Sequence, residues 1–347
     1  MNTESNLTSR YSRRCFGKIL GASAMAASLS WNLRRQMPLS AEEIAKTPNS
    51  PDAPHSESMT IPVDPNLIVW FSDTHVPADA DEEINKTRPA QNLIQAMERV
   101  VAMNPRPAAV CFCGDTVKLE GKVDDYRTLR QIVGVLDTAE IPWFVAFGNH
   151  DNREAFYEVF PEKKPSTIYV PERMITIVET PYADLFLLDS LIRTNYTPGE
   201  LGNEQIQWIH NELARRKESK ISKTIYFAAH HPLVPGKSEE HSGLWDTDFF
   251  LKTVVDDPSV KGYIFGHSHA WGRYKTFAGM TLPIPDVMNA FVPKHLTSVN
   301  LPALGWLFAA QPRGWVEMRI AEDGSATFTL KTLDTTDLRN DNTYRLP

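Results

Sequence analysis

The sequence predicts a layered α/β fold, and three observations carry that prediction. Short continuous apolar runs alternate with stretches of helical period from residue 67 onward. A cluster of Asp, His, Asn or Gly directly follows the runs at five places. No internal repeat or second composition regime interrupts the pattern, so one catalytic domain over residues 67–335 is the simplest organisation.

The elements follow in order. Leu67-Ile68-Val69-Trp70-Phe71 is a continuous apolar run, as in a strand buried on both faces. Leu93, Ile94, Met97, Val100 and Val101 recur at helical spacing, opened by Pro89 and stopped before Pro105. Ala108 to Cys113 is the next strand. Tyr126, Leu129, Ile132, Val133 and Leu136 make a second amphipathic stripe, and Trp143 to Phe147 a third strand. Further strands are predicted near Ile175–Val178, Leu185–Leu188, Ile225–Ala229 and Gly262–Phe265, with a helix through Ile206, Ile209 and Leu213. Trp315–Ile320 and Ala326–Leu330 flank Asp323-Gly324 as a hairpin. Residues 278–312 are rich in proline and read as a loop excursion beside the site or an oligomer contact; residues 336–347 read as a polar C-terminal tail.

Composition bounds the function. The chain has 347 residues, 42% hydrophobic and 23% charged, ordinary for a globular enzyme that needs no disulfide to be stable. A formal charge of −7 and pI near 5.8 argue against a broad nucleic-acid-binding face. Cys111 and Cys113 are too close for an unstrained disulfide and lack a second pair for a thiolate zinc cluster. They read as small buried residues.

The N-terminus carries an address. Ser12-Arg13-Arg14-Cys15-Phe16-Gly17-Lys18 resembles the twin-arginine export signal, and the mildly apolar run Ile19–Leu29 behind it is too short to span a membrane. Residues 1–35 are therefore expected to engage the twin-arginine machinery, which carries folded proteins, and to leave no membrane span once removed. The alternative is retention as an anchor. Residues 36–66, dominated by Pro, Ser, Glu and Asp, read as a linker.

The chemistry lies in the clusters. Ser72-Asp73-Thr74-His75, Gly114-Asp115, Gly148-Asn149-His150-Asp151, His230-His231-Pro232 and Gly266-His267-Ser268-His269 each end an apolar run. Strand ends on one edge of an α/β layer open into a common crevice, so these segments can converge there. They offer two carboxylates, one amide and four imidazoles, a donor set for two divalent ions. Singly, each motif is usually a surface loop; their joint order is hard to obtain by chance.

That order, over about residues 67–270, resembles the calcineurin-like metallophosphoesterase superfamily. The resemblance implies an α/β-β-α sandwich with two metal ions (Mn, Zn or Fe) at the strand C-terminal ends. It implies Asp73, His75 and His269 on the first metal, Asn149, His230 and His267 on the second, and Asp115 bridging both. His231 is then a supporting group, a substrate-facing group or a buried neighbour. A metal-bridging hydroxide would attack phosphorus in line, and His150, unneeded as a ligand, would serve the leaving oxygen or else position Asn149. Lys118 stands where purple acid phosphatases place a metal-binding Tyr and phosphoprotein phosphatases an Asp. The pattern looks more like the class III cyclic-nucleotide and glycerophosphodiester phosphodiesterase branch. A small phosphodiester substrate is thus the first expectation, a phosphomonoesterase on the same centre the second, and a non-catalytic binding module the third. Arg153, Lys118, Lys237, His241 and Trp245 fall in rim loops and read chiefly as solvated residues; Asp184, Asp189 and Asp246–Asp248 read as structural.

Overall fold

Strands β1 (Val63–Phe71), β2 (Arg106–Cys113) and β3 (Trp143–Ala146) run parallel in register, Trp70 beside Cys111 and Cys111 beside Phe144. The computed structural model describes residues 61–234, 242–277, 280–283, 296–308 and 310–347. Helices α1 (Pro89–Val101) and α2 (Val123–Thr138) supply the crossovers between these strands. α1 starts on Pro89, whose missing N–H costs nothing in a first turn. α2 starts where the Asp125 carboxylate accepts the Lys122 N–H at 3.1 Å. The short helix α3 (Arg153–Val159) begins where the Asn152 side chain accepts the Ala155 N–H.

The second half builds another sheet from β4 (Thr176–Glu179), β5 (Ala183–Leu187), β6 (Thr224–Ala228), β7 (Val260–Phe265), β8 (Gly272–Phe277), β9 (Met280–Pro283) and β10 (Leu296–Asn300). Its helices are α4 (Asn203–Glu218) and α5 (Thr247–Val254). The last strands, β11 (Gly314–Ile320), β12 (Ala326–Thr332) and β13 (Thr343–Leu346), return to the first sheet. The orders are β13-β12-β11-β1-β2-β3 and β4-β5-β6-β7-β10-β8-β9. The predicted α/β-β-α layering is thus the observed one.

Strand alternation assigns the layers. Val69, Phe71, Val110 and Phe112 face α1 and α2. Ile68, Trp70, Cys111 and Cys113 face the other way, toward Leu185, Tyr226, Ala228 and Ile264 of the second sheet. Phe227, Tyr263 and Phe265 cover that sheet's outer face under α4 and α5. Both cysteines are free and buried between the sheets, where burial pushes their thiols well above the ordinary range. Fully burying a side chain such as Phe112 contributes about 1.5–3 kcal/mol, and Phe112→Ala would cost about 3–5 kcal/mol with the cavity included.

Three boundaries differ from the sequence reading. β1 begins at Val63, inside the stretch expected as linker, because Val63 and Asp64 pair with Arg106 and Pro107. Residues 343–346, expected in a polar tail, form the edge strand β13, and Leu346 is buried between the sheets against Gly262. The 278–312 excursion contains β9 and β10, the latter parallel to β7. The proposed export segment, Lys237, His241 and most of the linker lie outside the described residues. Among the described residues, no helix is long and apolar enough to cross a membrane.

Candidate metal centre

Every predicted cluster sits at the C-terminal end of a parallel strand: Asp73 and His75 after β1, Asp115 after β2, Asn149 after β3, His230 after β6, His267 and His269 after β7. The loops are tied together by main chain. Asp73 N–H donates to Gly114 O (3.1 Å), His75 N–H to Asp115 O (3.0 Å) and Gly266 N–H to His230 O (3.1 Å). Asp73, His75, Asp115, His267 and His269 all hold left-handed backbone, φ between 47° and 68°. Such strain persists only where surrounding structure enforces it, and it gathers at functional sites. Close approach requires glycine at 148, where a Cβ would lie 2.3 Å from Asp115 Oδ1.

Two groups of ligand atoms result. Asp73, His75 and His269 form one; Asp115, His230 and His267 form the other; within each, the atoms all lie within 4.8 Å of one another. In the first, His75 Nε2 lies 3.1 Å from His269 Nε2, which lies 3.2 Å from Asp73 Oδ1. In the second, His230 Nε2 is 3.3 Å from Asp115 Oδ2 and 3.2 Å from His267 Nδ1. The groups interlock, because the His267 N–H donates to Asp73.

The rings are oriented from behind. His230 Nδ1 donates to Cys113 O (2.8 Å) and His269 Nδ1 to Trp306 O (2.7 Å), which turns each Nε2 inward. Ser72 Oγ donates to Asp73 Oδ2 at 2.5 Å, and the His150 N–H to Asp115 Oδ1 at 2.8 Å. Asp151, which sequence reasoning left unassigned, fixes the Asn149 loop. Its Oδ1 accepts from the Thr116 N–H, the Thr116 hydroxyl and the Tyr126 hydroxyl, and its Oδ2 from the Gly148 N–H.

The electrostatics suit cation binding. Burial opposes ionisation of Asp73 and Asp115, yet His269 beside the one and His230 beside the other hold both below the usual carboxylate range. Burial lowers His75 to about 3 against the pull of Asp115, and burial with His230 lowers His267 to about 4. These imidazoles therefore stay neutral with lone pairs free. Burial also disfavours charge on His230 and His269, but Asp115 raises the former to about 9 and Asp73 raises the latter. A proton on each ring offsets carboxylate charge there, and a divalent ion would displace it. Asn149 offers the clearest fit test. Its buried Oδ1 has no protein partner among the described residues, an orphan that costs about 1–3 kcal/mol unless a ligand satisfies it.

Other predicted residues fall outside these groups. His150 stands at the rim, its side chain 19% exposed, Nδ1 2.9 Å from Leu119 O and Nε2 3.9 Å from Asp115 Oδ2. His231 is fully buried, with Nδ1 2.8 Å from Ser190 Oγ and Nε2 3.0 Å from Thr197 O. Both ring nitrogens are used within the protein, and the ring packs beside His267 as a buried neighbour. Lys118 pairs with Glu82. Arg153 is not a solvated loop residue: it makes a bidentate pair with buried Asp189, at 2.8 and 2.6 Å. Trp245 packs edge-on against Tyr196. Sequence reasoning missed Trp306, stacked on His75 with ring centroids 3.7 Å apart, and Phe308, stacked on His269 at 4.3 Å.

Strand-end loops of an α-β-β-α sandwich that present two candidate metal-binding Asp/His groups, beside an amide oxygen without a protein partner among the described residues, are the build of the metallophosphoesterase class. The chain belongs to the calcineurin-like phosphoesterase family, whose pattern matches residues 67–271 and so contains both groups. It is 27% identical over 174 residues to a probable glycerophosphodiester phosphodiesterase GpdQ of Arcobacter nitrofigilis, a match covering 48% of this chain and 58% of that protein. It is also 27% identical over 205 residues to a 3',5'-cyclic adenosine monophosphate phosphodiesterase CpdA of Pseudomonas aeruginosa, covering 58% and 69%. In fold it is similar to a dimetal phosphatase from Danio rerio, TM-score 0.58 at 14% identity, covering 81% of this chain and 99% of that one.

Proposed function

We propose that this protein is a metal-dependent phosphoric ester hydrolase acting on small phosphodiesters. The observation that carries the reading is the pair of interlocked groups, Asp73/His75/His269 and Asp115/His230/His267, beside the unsatisfied Asn149 oxygen. Those seven side chains would hold two divalent ions, with Asp115 shared between them. When bound, such ions polarise phosphoryl oxygens and lower the pKa of water from about 15.7 to about 7.

The remaining work falls to the chain. Two carboxylates against two divalent ions leave an excess of positive charge, which draws a phosphate group to the strand ends. His267 and His150 are the partly exposed members of the cluster, so substrate approaches from their side. The His150 ring, held through Nδ1–H by Leu119 O, turns Nε2 toward the site; as the imidazolium, carrying a second proton on Nε2, it would pass that proton to the leaving oxygen and be left neutral. Preference for diesters draws on the two phosphodiesterases to which the chain is similar.

The test is hydrolysis of bis-para-nitrophenyl phosphate against para-nitrophenyl phosphate, after chelation and readdition of Mn, Zn, Fe or Co. Faster metal-restored turnover of the diester supports the reading. Turnover of the monoester alone points to a phosphomonoesterase on the same centre, and no turnover with two ions bound points to a binding protein.

Export by the twin-arginine route is part of the same proposal, on the strength of Arg13-Arg14 ahead of the apolar run. A reporter fused behind the first 60 residues is expected outside the cytoplasm, and with Arg13 and Arg14 both changed to Lys it is expected inside. Equal export of both fusions overturns it.

A further inference from the structure

The two ligand groups are supported differently. His230 and His269 each send Nδ1–H to a main-chain carbonyl, the usual way a ligating imidazole is held. His75 has no such bond: its Nδ1 is buried and unpartnered among the described residues. Besides His269 Nε2 at 3.1 Å and the edge of the His150 ring, what the His75 ring meets is an aromatic face. The Trp306 indole lies 3.7 Å from it, centroid to centroid, with the planes 15° apart.

Trp306 is itself fixed from the Asp73 loop. Beyond β10 the chain crosses this loop, where Leu304 N–H donates to Ser72 O (3.2 Å) and Gly305 N–H to Asp73 O (2.9 Å). The Asn92 amide donates to both Leu304 O (2.9 Å) and Gly305 O (3.0 Å) from α1. Residue 305 has to be glycine, since a Cβ there would come within 2.8 Å of Asp73 O and Thr74 O. The same Trp306 supplies the carbonyl that orients His269, and Phe308 stacks on the His269 ring. At 5% exposure Trp306 is part of the wall, whereas Phe308 is 72% exposed. Among the described residues, the hydrogen bonds and ring stacks of residues 304–308 go to the Asp73 loop, Asn92, His75 and His269, with none to Asp115, His230 or His267.

We propose that Trp306 is a positioning residue for the first ligand group alone, its indole face setting the His75 ring and its carbonyl setting His269. The inference rests on the two-ion reading above. Without the indole, the His75 ring loses the flat wall that sets its plane, and an ion at Asp73, His75 and His269 would meet a less preset ligand. Supporting residues of this kind change metal affinity by about 10–100-fold. An ion at Asp115, His230 and His267 would keep all of its own ring supports and so is expected to change much less.

The experiment is calorimetric titration of Mn or Zn into the chelator-treated full chain, comparing wild type with Trp306→Ala, Trp306→Leu and Trp306→Phe. Trp306→Leu keeps apolar volume without a ring face, which guards against a folding failure of the alanine variant. Two binding steps are expected in wild type. In the alanine and leucine variants one step weakens by about 10–100-fold while the other holds. Trp306→Phe, which restores a flat face, recovers most of the loss. Unchanged affinity at both steps in a folded Leu variant overturns the proposal, as does equal weakening of both. Absence of two steps in wild type would instead sink the two-ion reading.

Discussion

Asp115 and His230 face each other across the junction of the two sheets, Oδ2 to Nε2 at 3.3 Å, each locked from the opposite side. His230 is held by Cys113 O and Asp115 by the His150 N–H. The space beside both side chains leaves no room for a Cβ at Gly148. A Cβ at 148 would meet Asp115 Oδ1 at 2.3 Å and His230 Cδ2 at 2.9 Å. Gly148→Ala is therefore expected to keep its circular dichroism spectrum yet lose bound metal and about 100-fold in kcat/KM, the upper end for disturbed ligand support. Wild-type metal content in that variant would show that Asp115 need not sit where it does.

His150 predicts a dependence on the leaving group. If its imidazole donates to the departing oxygen, His150→Ala loses about 10²–10⁴-fold in kcat on an alkyl diester. On a para-nitrophenyl diester, whose leaving group needs little help, the loss is much smaller. Metal content stays at the wild-type level, since His150 belongs to neither ligand group. An equal loss on both substrates would leave His150 only a positional role.

Asp151 predicts a stability effect. Its two oxygens accept the Thr116 and Gly148 main-chain N–H groups, at 3.1 and 2.8 Å. In Asp151→Asn, whichever way the amide turns, one of these buried N–H groups meets an NH2. The cost is about 1–3 kcal/mol. For a domain of this size that lowers Tm by roughly 2–4 °C per kcal/mol, read by thermal melting of the metal-free chain. No change in Tm would mean the loop is held by other contacts.

How much of this was legible in sequence depends on whether the signal is local. Strand-ending clusters such as Gly114-Asp115 and Gly266-His267-Ser268-His269 announce themselves, because an apolar run and its polar turn are adjacent in the chain. The central strands and α1, α2 and α4 follow from the same adjacency. What was missed depends on partners far away. The Arg153 partner, Asp189, lies 36 residues on, and Trp306 meets His75 across more than 200 residues. β10 is hidden in a proline-rich stretch without period, and β13 is an edge strand with one buried residue, Leu346. Gly305-Trp306 lies in that stretch, and a Gly-Trp pair by itself does not signal a close approach.

Metal removal predicts destabilisation. An ion bound only by the folded chain adds about 2.7 kcal/mol per site at a free concentration 100 times its Kd. The Tm of the purified chain is expected to fall on chelation and to return with Mn or Zn. An unchanged Tm after complete removal, verified by elemental analysis, would separate the ligand groups from any cation.

The central claim is that Asp115 and its six partners hold two ions that make the chain a phosphoesterase. Elemental analysis of the purified protein, paired with bis-para-nitrophenyl phosphate turnover, tests it most directly for wild type, Asp115→Asn and His267→Ala. The account predicts two ions per wild-type chain, and metal and turnover lost together in both variants. Wild-type metal content and rate in both variants would contradict it.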